Sequence, residues 1–222
     1  MSQELMLCED LVKNASHRLP VCIVLDTSGS MCDLIDDMVD GKNRFYDAVR
    51  EDNDARFSCE IAVVTFNSTA EVVENFSCID EKDKIMTPET KSFTSMAQGV
   101  ALGLDLLEKR KNDYKNNGVD YFQPWLLLFT DGEPTESITG IQKKVKELEA
   151  NKKLTVFTFS LDDAVNIETL KGFSKRSPMR IKDGKFGEFF EWLGKSVSIV
   201  SRSNPGDKVK LDTTGIDNWA LL

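Results

Sequence analysis

The sequence predicts a three-layer α/β/α fold: a doubly wound, mostly parallel sheet with one antiparallel edge strand, covered by helices on both faces. Strand-like and helix-like segments alternate along the 222 residues, which is typical of parallel strands linked by crossover helices. The best strand candidates are continuously apolar, as expected of strands buried on both faces. One pair of strands has a link too short for a crossover, which predicts an antiparallel hairpin.

The first half of the chain supplies three strands and one long helix. Residues 21–25 are an unbroken apolar run and predict a buried strand. A helix follows over 33–53, where apolar residues recur near a 3.6 period. Residues 59–66 and 70–76 form the predicted hairpin, and 77–93 are polar enough to predict a loop.

The second half alternates helices and strands without interruption. Asn116-Asn117-Gly118 ends its first helix, and the last helix carries a phenylalanine-rich stripe at helical spacing, which indicates core packing. The predicted elements are helix 96–116, strand 124–129, helix 138–148, strand 154–160, helix 167–173, strand 179–181 and helix 186–200.

This pattern divides the chain into three parts. Residues 1–18 predict a short amphipathic helix, whose candidates for burial are Leu5, Leu7, Leu11 and Val12. Residues 19–202 form the α/β domain. In the tail, 203–222, the pattern is lost, and its apolar end docks either on its own domain or on a partner. The acidic N-terminus is unlike a signal peptide, and no run approaches about 18 apolar residues, so we expect no transmembrane helix.

Composition excludes several classes of function. Asp and Glu number 37 against 28 Lys and Arg, giving a net charge of −9, which disfavours binding to nucleic acid or to an anionic membrane. His17 is the one histidine, so a Ser-His-Asp triad or a histidine-rich zinc site is not expected. The five cysteines have no C-x-x-C spacing, which favours reduced thiols in a cytoplasmic protein.

Oxygen-bearing side chains follow the two most apolar strands. Asp26, Ser28 and Ser30 come where the first strand ends, and Asp131 follows the fourth strand in the same way. The carboxyl ends of parallel strands share one edge of the sheet, where ligands bind. Carboxylates with hydroxyls suit Mg²⁺ rather than zinc or copper. Taken alone, the first group is also compatible with an ordinary turn and helix cap.

Three short motifs in a fixed order carry a family resemblance. They are D-T-S-G-S at 26–30, a threonine at 94 before the long helix, and T-D-G at 130–132. Together they resemble the metal-ion-dependent adhesion site (MIDAS) of von Willebrand factor A (VWA) domains. The order of elements is similar to that Rossmann-like fold over 19–202.

The resemblance implies a set of metal ligands for Mg²⁺ or Mn²⁺. The hydroxyls of Ser28 and Ser30 would bind the metal directly, and Thr94 would do so in one state of the site. Asp26 and Asp131 would act directly or through waters. An Asp or Glu carboxylate from a partner protein would then complete the metal shell.

The loop before the long helix departs from the family pattern. The family usually has glycine just before the threonine, whereas this chain reads Ser92-Phe93-Thr94-Ser95-Met96. Phe93 makes the loop bulkier, and Ser95 is an adjacent rival for the ligand role of Thr94. The choice between these two hydroxyls stays open on the sequence.

Shorter motifs look like those of bacterial tellurium-resistance-associated VWA proteins, which are cytoplasmic and often encoded beside a protein kinase and a PP2C-type phosphatase. This resemblance implies a cytoplasmic stress or tellurite-resistance system linked to phosphorylation, with a kinase or phosphatase as partner. The motifs are Arg18-Leu19-Pro20, Thr130-Asp131-Gly132-Glu133-Pro134-Thr135, Phe189-Phe190-Glu191-Trp192 and Ser196-Val197-Ser198.

The sequence therefore predicts a metal-dependent protein-binding module and not an enzyme. One alternative is a metal-dependent hydrolase or phosphatase with Asp26 as nucleophile. A haloacid-dehalogenase-type enzyme would need a second aspartate where Ser28 stands, and neither a nearby base nor a glycine-rich phosphate loop is visible. The other alternative is a scaffold whose metal site is vestigial, against which the intact oxygen ligands weigh.

Overall fold

Seven strands form one sheet in the computed structural model, which describes residues 14–81, 93–161 and 167–221. Most of the helix predicted over 1–18, most of the loop predicted at 77–93, and Leu222 lie outside these residues. Residues 14–18 of the predicted helix are described and are not helical. The strands are β1 (Leu19–Asp26), β2 (Cys59–Phe66), β3 (Ala70–Cys78), β4 (Trp125–Thr130), β5 (Thr155–Ser160), β6 (Met179–Ile181) and β7 (Ala220–Leu221).

The strands are arranged in the order β3-β2-β1-β4-β5-β6-β7. The five inner strands pair in parallel, and β3 is antiparallel to β2, as the short link predicted. The predicted α/β fold with a mostly parallel sheet is confirmed. A second antiparallel strand, β7, closes the other edge beside β6. Its two residues are too few to produce a recognisable sequence pattern.

Helices cover both faces of the sheet. None of the helices among the described residues combines the length and apolarity needed to cross a bilayer. The α-helices are α1 (Ile35–Glu51), α2 (Asn53–Ser58), α3 (Met96–Asn116), α4 (Thr139–Ala150), α5 (Ile167–Lys171), α6 (Phe186–Ser201) and α7 (Ile216–Trp219); short 3₁₀ turns occupy Gly29–Asp33 and Ile79–Glu81.

The alternation of side chains along β1 divides the core between the two faces. Leu19, Val21, Ile23 and Leu25 lie in the core under α1 and α6, while Cys22 and Val24 lie in the core under α3 and α4. All of these residues are buried. Successive strand residues point to opposite faces, so an unbroken apolar run is what a strand covered on both sides requires.

Helix α3 lies unusually close to the sheet because glycines face the strands. A Cβ atom added to Gly99 would stand 2.6 Å from the ring of Phe66, and one added to Gly103 would stand 2.9 Å from Val24. Both distances are shorter than real Cβ contacts allow. The small residues therefore hold the N-terminus of α3 against the carboxyl ends of β1 and β2.

The C-terminal residues pack on the domain that precedes them. Ile216, Trp219 and Ala220 are buried, and the Trp219 ring lies 5.4 Å from the rings of both Phe189 and Trp192 on α6. Of the two outcomes left open by the sequence, the described part of the tail docks on its own domain. The boundary drawn at 203 stays a prediction.

Candidate metal centre

Three loops meet where β1 and β4 end. The two strands are neighbours, with Leu25 paired to Phe129, so the residues that follow them emerge side by side. The chain leaves β1 in one direction and β4 in the other, which makes this edge the switch point of the sheet. The third loop is the segment directly before α3, which includes residues 93–95.

A row of oxygen atoms runs through this meeting point. The hydroxyl oxygens of Ser28 and Ser30 are 3.2 Å apart, and Ser30 donates a 2.9 Å hydrogen bond to Asp131 Oδ1. Ser28 and Asp131 are buried, whereas Ser30 is exposed. The structure thus brings these three predicted site residues together at a position that opens to solvent on the side of Ser30.

Asp26 lies beneath this row and is fully buried. Its Oδ1 atom accepts a 2.8 Å bond from the Ser28 N–H, and its Oδ2 atom accepts a 2.6 Å bond from the Thr130 hydroxyl. Burial raises the pKa of Asp26 to about 6, against the lowering effect of the bonds from Thr130 and Ser28; the charge of Asp131 adds to the rise. Asp26 therefore needs a positive neighbour to remain fully ionised near pH 6.

Thr94 and Ser95 face different neighbours. The backbone N–H of Thr135 holds the Thr94 carbonyl at 3.1 Å, and the Thr94 hydroxyl lies 3.8 Å from the point where a Cβ on Gly132 would stand. Ser95 instead donates its hydroxyl to the Ser68 carbonyl at 3.2 Å. Of the two rival hydroxyls, Thr94 is the one directed towards the Asp131 loop.

Phe93 adopts a backbone conformation that side chains disfavour. Its φ is +79°, in the left-handed region where glycine has no steric cost and a bulky residue is strained. Its side chain is 65% exposed. This is the position at which the sequence departs from the usual glycine, and the geometry shows why glycine suits it.

Two residues that support the site were not predicted. Asn67 donates a 3.0 Å bond from its side chain to the Thr27 hydroxyl, which ties the ends of β1 and β2 together. The Glu136 carboxylate accepts the backbone N–H groups of Ala97 at 2.8 Å and Gln98 at 3.2 Å, and so caps α3. The position of Asn67 directly after β2 was a usable signal. Glu136 had none, because it caps a helix about 40 residues earlier in the chain.

The donor set fits a hard divalent cation. Two carboxylates and several hydroxyls meet here, and no group of three His, Cys, Asp or Glu residues able to hold a metal occurs among the described residues. Oxygen ligands of this kind suit Mg²⁺ or Mn²⁺ and not zinc. Electrostatics also favour a cation here. Burial and the charge of Asp131 raise the pKa of Asp26, and a cation beside the two carboxylates would offset both effects.

A family model for the von Willebrand factor type A domain matches residues 21–191. These residues run from β1 into α6 and include all five predicted site residues. No curated protein matches the chain.

Solved structures share the fold at low sequence identity. A pilus adhesin, SpaC from Lactobacillus rhamnosus GG, is 12% identical with a TM-score of 0.67, covering 83% of this chain and 30% of its own. A von Willebrand factor type A protein from Catenulispora acidiphila is 16% identical with a TM-score of 0.62, covering 83% and 43%. The PilB minor pilin from Streptococcus sanguinis is 12% identical with a TM-score of 0.55, covering 82% and 62%. The chain thus spans less than two thirds of each of these proteins.

Proposed function

Because the chain belongs to the von Willebrand factor type A family, we propose that it is a divalent-metal-dependent protein-binding module. Domains of this family often serve in adhesion or protein interaction. The observation that carries the metal dependence is the row of oxygens from Ser28 through Ser30 to Asp131, with steps of 3.2 and 2.9 Å. Hydroxyls and a carboxylate this close together form a compact set of hard ligands.

Each site residue has a proposed role. Ser28 and Ser30 would hold Mg²⁺ or Mn²⁺ through their hydroxyls, Asp26 and Asp131 would act directly or through waters, and Thr94 would join in one state. The bound ion would supply an electrophile with an open position for an Asp or Glu carboxylate of a protein partner. Ser30 is the exposed member of the row, so a partner's side chain would approach from its side.

We propose that the site does not perform hydrolysis. Asp26, the candidate nucleophile of the alternative function, is fully buried and has a hydrogen bond on each carboxylate oxygen. His17 precedes the opposite, amino-terminal end of β1, with its ring 5.8 Å from that of Phe122. It is therefore remote from the site as a base. Both observations support a protein-binding function over hydrolysis.

The cellular setting rests on the short sequence motifs alone. We propose a cytoplasmic bacterial protein of a stress or tellurite-resistance system, with an associated kinase or phosphatase as the carboxylate-bearing partner. Capture of that kinase or phosphatase from lysate in Mg²⁺, and its release in EDTA, would support this setting. Capture in both conditions would argue against the metal as the point of contact.

Calorimetric titration with Mg²⁺ and Mn²⁺ tests the metal site directly. We expect weak binding to the parent protein, because much of the metal shell would be water, and no detectable binding to a Ser28→Ala/Ser30→Ala variant. Ser95→Ala is the matched control, since its hydroxyl bonds to Ser68 and its loss should leave metal binding intact. If folded parent protein shows no heat of binding with either ion, the metal-dependent function is wrong and the scaffold with a vestigial metal site is favoured.

A phosphatase assay separates the remaining alternative. We expect no metal-dependent turnover of a phosphate ester by the parent protein. Robust turnover that disappears in Asp26→Asn would replace the binding function with the enzymatic one.

A further inference from the structure

A large cleft opens at the end of the sheet opposite the candidate metal centre. It encloses about 1050 Å³ and is bordered by Trp125 and Thr155, the first residues of β4 and β5. The C-terminal ends of α3 and α4 form two of its walls, and the segment 203–211 forms another. That last wall lies beyond the part of the chain that the family model matches.

The cleft is basic although the whole chain is acidic. Seven Lys or Arg residues and three Asp or Glu residues line it, in a chain whose net charge is −9. Five of the lysines are exposed and form no ion pair with any described residue: Lys115, Lys152, Lys153, Lys175 and Lys208.

The three acidic residues of the lining are already engaged. Glu108 pairs with Lys111 at 2.5 Å, and Glu149 pairs with Arg176 at 2.5 Å. Asp207 accepts the backbone N–H of Asn204 at 2.9 Å. The charges of Lys115 and Lys153 also help to lower the pKa of Glu108, so that carboxylate offsets part of the positive charge. With seven cationic and three acidic side chains, the lining still has an excess of four positive charges.

Apolar side chains form the floor and one wall of the cleft. Trp125 and Phe157 are buried at the floor, with rings 5.5 Å apart. Val209 and Leu211 of the C-terminal wall pack on the core but remain partly exposed to the cleft. A ligand in the cleft would thus meet an apolar surface between basic rims.

We propose that this cleft binds an acidic, partly apolar peptide segment of a partner protein. Carboxylates of the segment would pair with the unpaired lysines, and its apolar side chains would cover the wall formed by Val209 and Leu211. Charge complementarity of this kind favours encounter and fixes the orientation of a bound segment. The site is independent of the metal and of the function proposed above.

The distribution of charge favours an extended peptide over a compact phosphate ligand. The five lysines come from α3, the turn after α4, the loop before β6 and the tail, so they line rims and do not converge on one point. Two helices also end here, at Asn116 and Ala150, and the partial negative charge of their C-termini disfavours a compact anion close to the floor. Phosphate sites usually use helix N-termini instead.

Fluorescence polarisation with a labelled synthetic peptide tests the proposal. The probe is a peptide of about ten residues that contains glutamate and leucine, and the buffer contains EDTA, which removes any contribution from the metal centre. Peptides with lysine in place of glutamate, or serine in place of leucine, are the controls. We expect the parent protein to bind the glutamate–leucine peptide, with weaker binding at high salt, and to bind both controls weakly.

Charge-reversal variants identify the surface. Lys153→Glu/Lys175→Glu/Lys208→Glu should weaken binding at least about tenfold, as three lost surface charge pairs would. Lys143→Glu/Lys146→Glu/Lys195→Glu, which makes the same change in net charge with exposed lysines outside the lining, should stay within about twofold. Both variants should keep the far-ultraviolet circular dichroism and melting temperature of the parent.

Three outcomes would overturn the proposal: no saturable binding of the peptide, equal loss in both variants, or displacement of the peptide by inorganic phosphate or ATP at lower concentration than by unlabelled peptide. The last outcome would assign the cleft to a phosphate ligand.

Discussion

The Thr130 hydroxyl donates a 2.6 Å hydrogen bond to Asp26 Oδ2, across 104 residues of sequence. The bond joins the ends of β1 and β4 and favours the ionised form of Asp26. Burial nevertheless outweighs it, and the pKa of Asp26 rises from 3.8 to about 6. The metal-free site therefore contains a carboxylate whose ionisation opposes folding.

This shift predicts an unusual pH dependence of stability in the metal-free protein. The folded pKa of Asp26 lies above its unfolded value, so its contribution to stability is complete below pH 4 and is lost as the pH rises through 6. A rise of the Asp26 pKa from 3.8 to about 6 corresponds to about 3 kcal/mol in the free energy of unfolding. Urea unfolding in EDTA should therefore show Asp26→Asn gaining about 3 kcal/mol relative to the parent between pH 4 and pH 7.

The comparison between parent and variant isolates this effect from the other carboxylates. Asp52 and Glu108 have lowered pKa values and change stability in the opposite direction with pH, but they are common to both proteins. Saturating Mg²⁺ should stabilise the parent and not Asp26→Asn near pH 7. If the difference in stability between the parent and Asp26→Asn does not change with pH, the pKa of Asp26 is not raised in the folded protein.

Phe93 should be a destabilising residue of the fold. A non-glycine residue in the left-handed region costs roughly 1–2 kcal/mol, of which the greater freedom of glycine in the unfolded chain offsets about 0.5–1 kcal/mol. Phe93→Gly should therefore raise the free energy of unfolding by roughly 0.5–1 kcal/mol. Phe93→Ala is the control, because it removes the exposed ring and keeps the strained φ of +79°. Equal stability of the two variants would exclude backbone strain as the cause.

Glu60 holds together a buried ionic network at the start of β2. Its carboxylate accepts 2.6 Å bonds from Arg110 Nε and the Tyr114 hydroxyl, and Arg18 Nε lies 3.4 Å away. All four side chains are buried. Although burial lowers the pKa of Arg110, its hydrogen bond to Glu60 and the charge of Glu60 raise it further than burial lowers it.

Glu60→Gln should destabilise the protein by about 3–5 kcal/mol, since it leaves two guanidinium groups buried without the charge of Glu60. Glu108→Gln is the matched control: its pair with Lys111 is more than half exposed on the glutamate side and should contribute less than about 1 kcal/mol. Urea midpoints of the two variants measure the difference. Equal, small losses would mean that the network stabilises the fold no more than a surface pair does.

The sequence was sufficient to predict features that depend on neighbouring residues in the chain. The apolar run of β1 predicted a strand buried on both faces, and its alternating residues divide between the two cores as that requires. Because parallel strands end at the same edge of a sheet, the sequence predicted that Asp131 lies near Ser30. In the structure the two side chains form a 2.9 Å hydrogen bond. That these residues hold a metal stays a prediction.

Features built from distant parts of the chain could not be predicted in this way. Glu136 caps a helix that begins at Met96, and no spacing along the chain indicates such a pair. The five unpaired cleft lysines come from four segments, so their excess over carboxylates is visible only in three dimensions. Trp219 packs on the rings of Phe189 and Trp192 and so holds the next two residues, strand β7, beside β6. The two residues of β7 have no strand pattern of their own.

The packing of Trp219 predicts that the C-terminal segment unfolds together with the rest of the domain, and a substitution tests this. Trp219 is buried against two aromatic rings of α6, and the backbone carbonyl of Trp219 accepts the N–H of Lys182 at 2.8 Å. Trp219→Ala should therefore lower the free energy of unfolding by about 3–5 kcal/mol through lost contacts and the cavity left behind. The neighbouring Leu221→Ala is the control, because that side chain is 49% exposed and should cost much less. We expect urea unfolding of Trp219→Ala to remain a single transition at a lower midpoint. If the midpoint is unchanged, the tail is an appendage and the boundary at 203 separates it from the domain.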